Sequence, residues 1–408
     1  MFQTGMYPKN KWIYIIYGLI LLFPFNGFSQ KSKAQLEHEK RNALNKLVEA
    51  QKILEETEKK HEVSIGQLNA LNQQIVASQS VINSITGEIT IYNGELLELN
   101  EVIESLENDL DYLKKEYASM VYSSYKANFG LRNILFIFSA ETFNQLLLRA
   151  KYMDQYASAR KKQLQLIQEV RESLIDQIAT LETKKIEKDQ LLNQELSQNQ
   201  NLVTLRKKQN TLIKSLSERE SEIKKELKDR KKAIARLDKL IADIVAAEIK
   251  ASSKGKSTTK IEMTTSESAL SKAFENNYSK LQWPVSTGFI SAKFGINPHP
   301  VYKRLKVPND GIDIQTKENQ EVRSVFEGKV KAVAVVPGDM RYVVLVQHGD
   351  YFTVYAKLKE VLVSQGDIIS VNQRIGVVNT NKNGTSEVQF QIWKNKQKLN
   401  PENWIAKK

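Results

Sequence analysis

The sequence predicts an α plus all-β multidomain protein, in which a long antiparallel coiled-coil hairpin is followed by a small β-sheet domain. Three observations carry this. No proline occurs between Pro24 and Pro284, and after residue 29 that stretch has only Gly66, Gly87, Gly94, Gly130 and Gly255. Proline and glycine punctuate helices, so a long region nearly free of both reads as helix. Apolar residues fall at heptad spacing through the same region. From Trp283 onward, glycine and proline return among short runs rich in β-branched and aromatic residues.

The heptad places the helices. Leu47, Leu54, His61, Leu68, Ile75, Ile82, Ile89, Leu96, Ile103 and Leu110 are seven apart. A second track runs through Leu36, Ala43, Ala50, Leu71, Ile85, Tyr92, Leu99, Leu106 and Leu113, offset by three and four as a and d positions require. His61 sits in the seam and reads as a register-setting polar residue rather than a ligand. Downstream, Ile213, Leu227, Ile234 and Ile241 form one track, and Leu216, Ile223, Leu237 and Ile244 the other. At 1.5 Å per residue, a single outgoing arm from Ala34 to Lys126 would reach about 140 Å.

The seam is interrupted between Tyr117 and Tyr156. Asn128 to Gly130 reads as a turn, and Ser139 as an N-cap with Glu141 in the first turn. Phe129, Phe136, Phe138, Phe143 and Leu147 are too apolar for a solvated loop. This segment, near 127–153, is expected to be a local mini-core, a docking site, or both. Residues 251–282 comprise a Ser/Thr/Lys-rich linker to Thr265 and one short helix from Ser266 to Leu281.

Residues 1–29 read as a signal peptide. Lys9 and Lys11 precede the apolar run Trp12–Phe25, and Gly27 and Ser29 are small residues placed for cleavage near Ser29/Gln30. The run is short for a bilayer span. The remainder is therefore expected to be exported and periplasmic. The formal net charge is +13, but both signs are interspersed along the helices, as on solvated helix faces. No nucleic-acid motif is present, so nucleic acid is not an expected partner. The chain has no cysteine and four histidines, which excludes disulfides, thiolate metal sites and a cysteine nucleophile.

Strands are expected at Lys329–Val336, Tyr342–Gln347, Tyr351–Tyr355, Arg374–Val378 and Val388–Trp393. The text of 283–408 includes Trp-Pro-Val-Ser-Thr-Gly-Phe-Ile-Ser-Ala-Lys-Phe-Gly from Trp283, His-Pro at His299, Gly-Ile-Asp-Ile from Gly311, His-Gly-Asp-Tyr-Phe-Thr-Val-Tyr-Ala-Lys-Leu from His348 and Gln-Phe-Gln-Ile-Trp from Gln389. In order and spacing it resembles the lysostaphin-type, or LytM-like, peptidase family. The resemblance implies a zinc held by a His-x-Gly-x-Asp element and by the second His of a His-x-His pair, assisted by that pair's first His and by a His in a Tyr-Ala-His-Leu strand. Here those places hold Asn309 with Asp313, Glu387 with Gln389, and Lys357. Neutral amides are poor zinc donors, and a catalytic zinc needs three good ones. The reading is a degenerate site with no cofactor and no catalysis. The groove residues Asn309, Asp313, His348, Lys357, Glu387 and Gln389 are then a partner surface.

Taken whole, the chain resembles the EnvC-type murein hydrolase activators. That resemblance implies a non-catalytic activator of peptidoglycan amidases in cell-wall remodelling and daughter-cell separation. The implied partners are an amidase at the groove, the extracytoplasmic part of an FtsEX-like complex at the coiled-coil end, and peptidoglycan. Activation also needs a gate, or hydrolysis would be unrestrained, so the 266–281 helix or the returning arm is expected to cover the groove. The alternatives are an active zinc endopeptidase and a structural wall-binding coiled coil.

Overall fold

The structure is a computed structural model, and it describes residues 31–59, 63–126, 131–252, 261, 263–302, 304–338 and 340–407. The signal segment, His61, the 128–130 turn with Phe129, and most of the linker lie outside the described residues.

Helix α1 (Lys33–Glu58) starts at Ser32, which exchanges hydrogen bonds with Gln35 in a capping box. Helix α2 (Ile65–Lys126) starts the same way, with Ser64 and Gln67 bonding reciprocally. The expected single outgoing arm is thus two helices. Helix α1 folds back antiparallel on α2: Lys33 Nζ donates to Tyr92 Oη (2.6 Å), and Lys40 pairs with Glu88 at 2.7 Å. The heptad runs on through the bend because both helices face one core, so the pattern does not mark the break. With 62 residues, α2 spans about 90 Å.

Helix α3 (Leu131–Phe138) lies at the far end, and α4 (Phe143–Glu218) returns antiparallel to α2. Tyr92 Oη donates to Glu187 at 2.8 Å, and Gln209 to Asn72 at 2.6 Å. The N-cap of α4 is Thr142, which accepts from Gln145 N. Ser139 instead donates to Phe136 O and accepts from Arg149. The returning arm also bends. At Arg219 the backbone leaves helical geometry (φ −98°, ψ 31°), and α5 (Glu220–Ser252) sets off in a new direction. The Arg219 guanidinium donates to Val63 O at 3.0 Å, so the two bends meet. Helix α6 (Thr265–Asn276) carries its own capping box from Thr264 to Glu267.

Among the described residues twelve strands follow: β1 (Phe289–Ala292), β2 (Gly295–Pro298), β3 (Lys306–Asn309), β4 (Ile312–Thr316), β5 (Glu321–Arg323), β6 (Gly328–Val336), β7 (Arg341–His348), β8 (Tyr351–Val361), β9 (Ile368–Ile369), β10 (Arg374–Thr380), β11 (Ser386–Lys394) and β12 (Gln397–Leu399). The main sheet runs β1-β4-β11-β10-β8-β7-β6-β9, with β11 also paired to β8; β2 and β3 form a separate ribbon. The five expected strands are all present, extended by between one residue (β6) and six (β8).

Side chains alternate faces along a strand. On β8 and β11, Tyr355 pairs with Phe390 and Thr353 with Ile392. Tyr355, Phe390 and Ile392 enter one core with Ile312, Ile314 and Val344. Helix α6 closes that core: Phe274 stacks on His348 and on Tyr351, each at 4.9 Å. The other face carries Phe352, Val354, Ala356 and Trp393. Helix α5 covers it with Ala233, Ile234, Leu237, Ile241, Val245 and Ile249, a stripe at steps of three and four. The downstream heptad track therefore divides: Ile234, Leu237, Ile241 and Ile244 pack on the sheet, while Ile213, Leu216, Ile223 and Leu227 cluster with Leu68 of α2.

The first bend also grips this domain. Gly66 O accepts from Gln315 Nε2 at 3.0 Å, Glu56 accepts from Glu318 N at 3.2 Å, and Glu49 accepts from Gly288 N. A Cβ at Gly66 would overlap the Thr385 side chain, so this approach requires glycine.

Candidate functional site

Asp313 on β4 lies opposite Gln389 on β11, which lies opposite Ala356 on β8. All three are on the face that α5 covers. Two residues before Gln389, Glu387 points the same way. The next position on β8, Lys357, has φ 65° and donates its backbone N–H to Met340 O at 2.8 Å. The β7–β8 register shifts here, and this bulge aims the lysine into the row. Lys357 Nζ sits 3.0 Å from Asp313 Oδ1 and 2.8 Å from Glu387 Oε2. The second oxygen of Asp313 takes an ion pair from Arg230 of α5.

Asp313 is 1% exposed and Lys357 6%. A buried charge persists only when paired, and each of these is. Burial alone would raise the Glu387 carboxyl. Lys357, then Arg230, with hydrogen bonds from Lys357 and Ser291, hold it instead well below the usual carboxylate range. The neutral part of the row is an amide chain. Trp393 Nε1 donates to Gln391, Gln391 to Gln389, and Gln389 to Asn309 at 2.9 Å.

This donor set does not fit a catalytic zinc. The oxygens of Asn309 and Gln389 already accept from Gln389 and Gln391, and the carboxylates of Asp313 and Glu387 are bridged by an ammonium where a metal would have to stand. No cluster of three or more metal-ligating side chains occurs among the described residues.

Five of the six expected groove residues are brought together. His348 is not among them. It is buried beneath α6, with Nδ1 on Glu327 O and Nε2 on Thr353 Oγ1, and burial lowers its pKa to about 4. The sequence reading missed Arg230, one cation among many on a charged helix. It also missed two further ties along α5. Lys398 bridges Asp238 of α5 (3.0 Å) and Asp310 (2.8 Å), and Lys331 pairs with Glu248 at 2.6 Å. Of the two proposed covers, the returning side supplies it, through α5; α6 belongs to the opposite core.

At the far end, Phe136, Phe138, Phe143 and Leu147 are 45%, 74%, 73% and 51% exposed. They form an open apolar surface rather than a mini-core.

Residues 307–401 match peptidase family M23, so the C-terminal domain is an M23, LytM-type domain. The chain is 33% identical over 110 residues to the peptidoglycan DD-endopeptidase ShyA of Vibrio cholerae, covering 27% of this chain and 24% of that protein. It is 32% identical over 99 residues to ShyB of the same organism, covering 24% and 23%. The chain thus spans about a quarter of these relatives. Among solved structures, Csd3 of Helicobacter pylori is 27% identical, with a TM-score of 0.27, covering 31% of this chain and 35% of that one.

Proposed function

We propose that this chain is a non-catalytic activator of a peptidoglycan amidase, held shut by its own helix α5. The observation that carries the reading is the seating of Arg230 on Asp313, in the groove where an M23 domain would hold its metal. A groove whose carboxylates are all taken by organic cations is suited to binding rather than hydrolysis. The M23 domain and the names of the peptidoglycan endopeptidase relatives support a role at the cell wall.

Helix α5 is a template for what the partner offers. It presents an apolar stripe to the sheet and one cation to Asp313. An amidase helix with apolar residues at steps of three and four and a matching basic residue would compete for the same face. Activation then needs α5 to lift, and the partner must prefer the open state. The trigger enters at the other end of the hairpin, where the exposed phenylalanines suit an extracytoplasmic, FtsEX-like membrane partner. Export to the periplasm by cleavage near Ser29/Gln30, a place in daughter-cell separation, and contact with peptidoglycan belong to the same proposal.

The test is dye release from labelled peptidoglycan with a cognate amidase, comparing the mature chain with Arg230→Glu. The expected result is stimulation only with amidase present, and more of it from the variant. Chelator-sensitive release without amidase would restore the endopeptidase reading. Stimulation by neither form, with binding to peptidoglycan intact, would favour a structural wall-binding role.

A further inference from the structure

The far end of the hairpin carries its side chains in layers. Tyr156 of α4 donates to Met120 O of α2 at 3.4 Å, which sets the two helices level. At 1.5 Å per residue, Tyr122, Tyr125 and Tyr152 lie about 3, 8 and 6 Å beyond that tie, and Phe143 about 20 Å beyond it. The three tyrosines are 66%, 83% and 64% exposed. Past them comes the apolar tip, with Leu135, Phe136 and Phe138 of α3 and Phe143, Leu147 and Leu148 of α4 open to solvent. The tip is preformed. Arg149 of α4 donates to Phe136 O at 2.6 Å and to Ser139 Oγ at 2.8 Å, and its guanidinium lies over the Phe136 ring.

Charge is ordered along the same axis. From Glu95 to Asp111, α2 has seven acidic residues and no basic one. The pattern then reverses. Between Lys114 and Lys162 there are nine basic residues and three acidic, a surplus of six in 49 positions, whereas the other 359 share a surplus of seven. Lys114, Lys115, Lys126, Lys151, Lys161 and Lys162 are exposed.

An apolar tip, a tyrosine belt and a cationic collar, in that order, match the layers of an anionic bilayer. Phenylalanine and leucine enter the acyl boundary, tyrosine sits at headgroup level, and lysine gains from anionic headgroups. The shaft below carries the opposite sign on α2, so the surface that attracts the collar repels the shaft and favours contact by the end of the hairpin. A protein groove could take the apolar tip, but it gives no reason for this reversal of charge around it. No helix among the described residues is long and apolar enough to cross a membrane, so the contact this tip offers is interfacial.

We propose that the hairpin tip docks end-on on a bilayer of anionic phospholipid. The two bends, and the β-domain they grip, then stand off from that surface by the length of α2, about 90 Å. The lipid contact does not rest on the activator reading.

The test is co-sedimentation of the chain from Gln30 to Lys408 with vesicles of phosphatidylcholine, alone or in equal parts with phosphatidylglycerol. The expected result is binding to the mixed vesicles, at least about tenfold weaker on phosphatidylcholine alone and weakened by added salt. Phe138→Ser with Phe143→Ser removes the inserted rings, and Lys126→Glu with Lys151→Glu reverses part of the collar. Each pair should weaken binding about tenfold or more, while Lys207→Glu with Lys208→Glu, on the shaft of α4, should leave it unchanged. All six residues are exposed, and circular dichroism checks that each variant keeps its helix. The indole of Phe138→Trp should be quenched by lipids brominated in their acyl chains. No binding to the mixed vesicles, binding unchanged by either tip pair, equal loss from the shaft pair, or an unquenched indole would overturn the proposal. So would capture of the tip by an FtsEX-like partner with no affinity for vesicles, which would make it a protein site. The vesicles hold no amidase and no peptidoglycan, so failure here is separate from failure of the activator reading.

Discussion

Arg230 and Asp313 lie 83 residues apart in sequence and form one ion pair across the boundary between α5 and the central sheet. Asp313 is neutralised from two sides: by Lys357, fixed within the sheet, and by Arg230, which leaves if α5 leaves. With α5 seated, Arg230 and Lys357 balance Asp313 and Glu387. With α5 lifted, two carboxylates face one lysine and the groove becomes acidic, so an incoming partner needs a cation of its own.

Removing that cation without a replacement should loosen the cover. In Arg230→Ala, Asp313 keeps Lys357, so the cost is that of half a buried network, about 2 kcal/mol. Amide exchange within Glu220–Ser252 should accelerate about thirtyfold by that figure, while the sheet strands keep their protection. Equal exchange in both forms would show that the apolar stripe alone seats α5.

Helix α6 belongs to the domain that it precedes. Phe274 is fully buried, stacks on His348 and Tyr351, and packs at a tilt against Trp404. A fragment starting at Trp283 lacks it; one starting at Thr264 keeps it and its capping box. Losing a buried phenylalanine costs about 3–5 kcal/mol, so the shorter fragment should melt well below the longer one in a thermal scan. Coincident melting temperatures would mean that the core closes without α6.

These cases show what the sequence makes legible. Strand positions followed from β-rich runs, and the degenerate row from Asn309, Asp313, Lys357, Glu387 and Gln389 standing in the places of a known motif. The bend before α2 was written in Ser64 and Gln67, a capping box inside the heptad, but a heptad that continues in phase hides a fold-back. The destination of α5 was illegible for a related reason. Ile234, Leu237 and Ile241 make the same periodic stripe whether they meet another helix or a sheet. His348 was misplaced because a strand-end histidine in sequence gives no sign of which face its ring takes, and here the ring lies under Phe274.

The apolar end of the hairpin should be silent in folding and decisive in docking. Phe138 and Phe143 are 74% and 73% exposed, so Phe138→Ser with Phe143→Ser should change thermal stability by no more than about 0.5 kcal/mol per site. Capture of the hairpin by the extracytoplasmic part of the proposed FtsEX-like partner should fall at least tenfold. Undiminished capture would move the docking surface elsewhere on the arms.

The seating of α5 should also depend on pH, through Asp238. Burial, then the shared contact with Asp310, push its carboxyl up from 3.8 to about 6, with Lys398 opposing. Asp310 and Lys398 are the charged groups that face it from the β-domain. A carboxyl whose pKa is higher in the closed state than in the open one binds its proton more tightly when closed. Closure is therefore strongest below the free value and weakens as pH rises through about 6. Glu387 runs the other way. Lys357 and Arg230 hold it low against the cost of burial, so its contribution is complete above about 4.5 and is lost only in stronger acid. Between pH 5 and pH 7 the Asp238 effect is opposed by His299, whose pKa burial and then Arg230 of α5 push down, so the sign of the dependence identifies Asp238. Exchange of the α5 amides, corrected for the intrinsic rate, should be about tenfold faster at pH 7 than at pH 5, and Asp238→Asn should flatten that dependence. A wild-type profile that is already flat, or a dependence that survives in Asp238→Asn, would remove this carboxyl pair from the control of the cover.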